Sequence, residues 1–214
     1  MKNRNICLTF FCALLCLTLL TACAAPRLSA DQIAAARADY PLRSTQTIET
    51  GDSYDMNALK TFQSIKQNNL QNGFCLAEVT LKSVDDFYAE EEVGDGYPAE
   101  KFNRVYWTVH IDNILEQKPG TSLDETVVLF LGARETYGET PDLPEGTKLI
   151  VSIAQVPDGV NFPEQEKFYG CPFLFSYYVT ADDHVLAIYD LPGTTEMDGK
   201  PLSAFRSEVK NIFK

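Results

Sequence analysis

Histidine is nearly absent from this chain: His110 and His184 are the only two among 214 residues. Any imidazole-based mechanism must run through one of them. Basic side chains are also scarce, 18 against 30 acidic, for a net charge of −12. Such a surface repels phosphate backbones and anionic headgroups, which excludes nucleic acid as a partner. No lipase-like G-x-S-x-G, zincin H-E-x-x-H, phosphate loop or EF-hand spacing occurs. No C-x-x-C pair or Cys/His cluster occurs either, so no structural zinc site is indicated. The sequence therefore implies no metal and no cofactor. It also contains no internal repeat and no low-complexity tract.

What is present begins at the start of the chain. Met1-Lys2-Asn3-Arg4 is basic, Ile6 to Leu20 is apolar, and small residues follow. That order is a secretory signal. Ile6 to Ala25 is also just long enough to span a bilayer, and cleavage after a small residue would free the chain. Leu20-Thr21-Ala22-Cys23 resembles the lipobox of bacterial lipoproteins, in which a branched apolar residue and two small ones precede a cysteine. The resemblance implies that residues 1–22 are a signal peptide and that Cys23 is the lipidated first residue of the mature chain. Each buried methylene contributes about 0.8 kcal/mol, so one acyl chain holds weakly and two hold stably. Ala24, not Asp, follows the cysteine. In a Gram-negative host that would favour the outer membrane; in a Gram-positive host it decides nothing. Lys2 and Arg4 are the only charges before Cys23, which leaves the mature part at −14. Attachment must then come from acyl chains rather than from electrostatics.

Of the six cysteines, Cys7, Cys12 and Cys16 lie in the signal and Cys23 takes lipid. Cys75 and Cys171 remain as a candidate disulfide in an oxidising compartment. Cys75 sits in an apolar strand pattern, where a free buried thiol is equally at home.

Residues 23–55 read as a lipidated tether holding the domain off the bilayer. Within it, Ser29-Ala30-Asp31-Gln32 fits a capping box, opening a short helix to about Asp39 that Pro41 ends. Residues 56–214 form the single domain. Met56, Leu59, Phe62 and Ile65 suggest a helix over 56–67. Two-residue alternation then predicts strands at Cys75–Leu81, Val105–Asp112 and Leu149–Ile153, with an apolar strand at Glu125–Leu131. Phe173–Thr180 and Val185–Asp190 read as a hairpin across Asp182-Asp183. Ser203 is placed to cap a closing amphipathic helix with an apolar stripe of Phe205, Val209, Ile212 and Phe213. The fold class is mainly β (α+β): a small antiparallel barrel of five to six strands, with a preceding helix and a C-terminal helix that plugs or flanks it.

Asn113-Ile114-Leu115-Glu116-Gln117-Lys118-Pro119-Gly120, then Val127 to Gly132, then Leu143-Pro144-Glu145-Gly146-Thr147-Lys148-Leu149-Ile150-Val151 form a succession. It resembles the small OB-fold-like lipoproteins of Gram-positive bacteria over about residues 56–190. Gly120 and Gly146 fit that pattern, while Lys148-Leu149 stands where an aromatic is usual. The resemblance implies an OB-like barrel and assigns no catalytic residue.

Both histidines read as solvated, His110 on the outward face of its strand and His184 at the hairpin tip. Asp182-Asp183-His184 has the residue types of a metal site, but a polar turn needs them anyway. Two loops hold the candidate binding residues. Phe87 to Tyr97, with the acidic run Glu90–Glu92, carries Tyr88 and Tyr97. Val156–Pro172 carries Phe162, Phe168 and Tyr169. With Tyr106 on the neighbouring strand, these tyrosines could engage an envelope protein or a small ligand, or simply pin long loops to the barrel. The expectation is a monomeric, non-catalytic binding or adaptor module on the extracytoplasmic face of the membrane. A cell-envelope hydrolase with an unrecognised site, or a structural subunit of an envelope complex, are the alternatives.

Overall fold

A computed structural model describes residues 25–44, 75–91, 100–133, 143–155, 168–170, 176–190 and 193–213. Among them the chain is mainly β, with two α-helices. The first two long strands, β2 (Cys75–Glu91) and β3 (Glu100–Gln117), form one antiparallel hairpin from Cys75 opposite Gln117 to Glu91 opposite Glu100. In β3 the two-residue period buries Val105, Trp107 and Val109, and leaves Tyr106, Thr108 and His110 partly exposed. In β2 the consecutive residues Cys75, Leu76 and Ala77 are all buried. The register shifts at Leu76/Ala77 and Glu78/Val79 skip Leu115 and Asp112, so those bulges lie on β3, and β2 is covered on both faces here.

β4 (Thr126–Ala133) pairs with β3, and β5 (Lys148–Gln155) pairs with β2. Leu149 through Ile153 are all buried, so β5 is covered on both faces. β6 (Phe168–Gly170) runs parallel to β4 and antiparallel to β5. β7 (Tyr177–Val179) and β8 (Val185–Ala187) extend the sheet past β5. The order is β2-β3-β4-β6-β5-β7-β8, with β5 also paired to β2. A separate parallel pair joins β1 (Arg43–Ser44) to β9 (Tyr189–Asp190).

Several expectations change. Among the described residues the sheet has seven strands, where five to six were expected. The extra one, β6, falls where a loop was expected, because three residues are too short to display a period. Phe87 to Glu91 is strand, not loop. Lys82-Ser83-Val84-Asp85-Asp86 shows no apolar alternation, so cross-strand pairing alone extends β2 there. The hairpin at Asp182-Asp183 is present, with Asp183 in the left-handed region at φ 58°. The expected helix over 56–67, and Phe162, lie outside the described residues.

The C-terminal helix α2 (Leu202–Phe213) follows Pro201, whose carbonyl accepts from the Phe205 amide at 3.0 Å. Ser203 therefore lies inside the first turn and does not cap it. Phe205 and Val209 are buried, and the Phe205 ring meets Tyr177 edge-on at 5.2 Å and 63°. Arg206 on the same helix grips Glu78 of β2 through two hydrogen bonds of 2.6 Å. Glu78 is only 8% exposed, so this fork is what makes its burial tolerable.

Candidate functional site

Residues 26–44, expected as part of a tether, lie docked against the sheet. The docking begins with the short helix α1 (Ala30–Ala36). Both halves of the anticipated capping box form: Ser29 Oγ accepts from the Gln32 amide at 3.3 Å, and Gln32 Oε1 accepts from the Ser29 amide at 2.9 Å. The helix itself stops at Ala36, and turns carry the chain to Tyr40. Ile33 and Ala36 pack against the core from one face of α1.

Charged groups fix this strap. Asp198 is 8% exposed and accepts from the Ala187 amide at 2.7 Å through one carboxylate oxygen. Its other oxygen pairs with Arg37. Arg37 also donates to the Ala187 carbonyl at 2.6 Å and the Tyr40 carbonyl at 3.2 Å. Arg27 donates to the carbonyls of Asp198 and Glu196, both at 2.8 Å. The Leu28 amide reaches the Gly199 carbonyl at 2.9 Å. At Gly199 the backbone has φ 73°, and a Cβ there would stand 3.0 Å from Ile33 Cδ1 and Leu28 Cβ. Only glycine fits that approach. The Tyr40 and Tyr178 rings meet at 5.5 Å, tilted by 57°, and Tyr178 Oη donates to the Pro41 carbonyl at 3.3 Å. Burial pushes the Tyr178 phenol up to about 12.

His184 belongs to this arrangement, contrary to the solvated surface expected. It is 5% exposed. Nε2 lies 3.0 Å from the Pro26 carbonyl, and Nδ1 lies 3.0 Å from the Asp182 carbonyl. The strap and Pro201 roof a hairpin tip that, taken alone, would be wet. Asp182 beside it accepts from the Thr180 hydroxyl at 2.5 Å, which holds its carboxyl below the usual range.

His110 stays half-exposed, as its outward position implied. Its Nε2 is 3.8 Å from Asp112 and its Nδ1 3.7 Å from Glu125. Thr80, the cross-strand partner of His110 on β2, donates its hydroxyl to Asp112 at 2.6 Å. A nucleophilic triad needs the hydroxyl on the imidazole and the carboxylate behind it. Here the Thr80 hydroxyl is hydrogen-bonded to the carboxylate, so the order of contacts differs from that template. Among the described residues no group of three or more His, Cys, Asp or Glu is arranged to hold a metal.

Three of the four candidate tyrosines lie on strands. Tyr88 lies on β2 opposite Asn103, and Tyr106 on β3 opposite Asp85, three register positions away. Tyr169 lies on β6 beside Leu129 of β4. Tyr97 lies outside the described residues, as do Cys23 and Cys171. Cys75 carries a free, fully buried thiol, and burial pushes it up to about 12. No helix among the described residues is long and apolar enough to cross a membrane.

Asp198, Arg37 and Arg27 were not singled out by sequence reasoning. Asp198-Gly199 carried a turn signal, but nothing local says that a distant strap buries that carboxylate. No family model, curated protein or solved structure matches this chain.

Proposed function

We propose that this chain is a lipid-anchored, extracytoplasmic binding or adaptor domain, acylated at Cys23 and built on an OB-like barrel. The lipobox Leu20-Thr21-Ala22-Cys23 behind a basic and apolar start supports the anchor. The barrel is supported by the strand pairings: β2 to β3, β3 to β4, β4 parallel to β6, β6 to β5, and β5 back to β2. OB-like folds are five-stranded, partly open barrels, and these five pairings are compatible with that architecture.

The observation that carries the binding reading is the β2–β3 ribbon. β5 leaves β2 at Thr80 and β4 leaves β3 at Arg104, yet β2 and β3 stay paired out to Glu91 and Glu100. Beyond those points the two strands pair only with each other among the described residues. A two-stranded ribbon extending past its sheet offers backbone edges and alternate side chains to a partner. Tyr88, Glu90 and Glu91 lie on it.

The test is crosslinking of the tagged, lipidated protein in intact cells of its host, read by mass spectrometry. One dominant protein partner, lost in Tyr88→Ala/Tyr97→Ala or on charge reversal of Glu90–Glu92, supports the module. Unchanged capture removes the ribbon from the reading. The hydrolase reading rests on His110 and is tested by a substrate screen with His110→Ala as control. Turnover lost in that variant would overturn the binding reading.

A further inference from the structure

We propose that the end of the domain bearing the Thr180–His184 turn and the Thr195–Met197 turn is held against the headgroup surface of the bilayer. This rests on the reading of Cys23 as the lipidated residue. Docking of the strap is what shortens the link. The Pro26 carbonyl is fixed at His184, Arg27 at Asp198 and Glu196, and Leu28 at Gly199. Three peptide steps then separate Cys23 from the first fixed residue, a reach of at most about 11 Å. A flexible tether over the whole of 23–55 would have let the domain roam about 30 Å.

The pairings say which end is meant. Thr80 of β2 sits opposite Lys148, and β7 runs on past Tyr178, opposite Leu149, to the Thr180 turn. Cys75, five residues back along β2, sits opposite Gln117, where the chain enters the Lys118–Thr121 turn between β3 and β4. The two turns therefore lie at different levels of the sheet, separated along β2 by about 17 Å, five residues at strand rise. Asp182, Asp183 and Glu196 are exposed at the anchored end. An acidic surface has no attraction to anionic lipid, so the link alone imposes the contact.

The test uses the full lipidated chain in phosphatidylcholine vesicles doped with a headgroup quencher. A fluorescent amino acid is placed at exposed Glu196 or, separately, at exposed Ser122 beyond the β3–β4 turn. Mass spectrometry of the N-terminal peptide first reports whether Cys23 carries acyl chains. The expected result is quenching at least twofold stronger at 196 than at 122. A ten-residue Gly/Ser insertion between Ala24 and Ala25, which touches no docked residue, should abolish that difference. Equal quenching on an acylated chain, or a difference that survives the insertion, overturns this placement and leaves the lipid anchor standing. An unmodified Cys23 overturns the anchor itself, and the placement with it.

Discussion

The sheet and the strap of this protein are held by different forces. The core of the sheet is mainly apolar: β5 is buried on both faces, Trp107 and Leu129 pack with almost no exposure, and Phe205 and Val209 of α2 are buried with them. The strap buries no residue of α1 completely and is fastened by Arg27, Arg37, Asp198 and His184. Apolar packing is non-directional and tolerates many partners. Buried ion pairs and hydrogen bonds hold one register and fail sharply when one partner is removed. The difference teaches that the strap is fastened by a few directional contacts, while the sheet is stabilised everywhere at once.

Truncating the core should have the largest effect. Phe205→Ala removes the ring that meets Tyr177 and should cost about 3–5 kcal/mol in urea unfolding. Next comes the fastening. Asp198→Ala leaves Arg37 and the Ala187 amide without their acceptor and should cost about 3 kcal/mol. Limited proteolysis should then cut within residues 26–44 well before the sheet opens. If strap and sheet instead open together, the comparison fails. Gly199→Ala should loosen the same contact by about 1–2 kcal/mol, since φ 73° is costly for any residue with a Cβ.

Smaller still is the acid response at the hairpin tip. The Thr180 hydroxyl lowers the Asp182 carboxyl below its ordinary value of 3.8. A depressed carboxyl contributes stability that is present above that value and lost as pH falls through the lowered one. Thermal melts of wild type and Asp182→Asn should therefore differ at pH 7 and converge in strong acid. At the bottom of the scale, His110→Ala should change stability by less than about 0.5 kcal/mol, because the ring is half-exposed and beyond hydrogen-bond reach of both carboxylates.

The long strands were legible because burial imprints a two-residue period. Val105, Trp107 and Val109 against Tyr106, Thr108 and His110 is that imprint in β3. β6 and the outer half of β2 were not legible. The first is three residues long, and the second is paired in a polar stretch. The capping box was legible because Ser29 and Gln32 satisfy each other locally. His184 was misread for the opposite reason: its burial depends on Pro26, 158 positions away.

By itself the sequence determined the β-rich class, the turn positions at Gly120 and Gly146 and the amphipathic closing helix. Each is written in neighbouring residues, through period, backbone freedom or hydrophobic run. Only the tertiary structure decided that residues 26–44 are a docked strap, that Asp198 and Glu78 are buried carboxylates and that His184 is roofed. Those facts come from contacts between distant segments, which local sequence does not record.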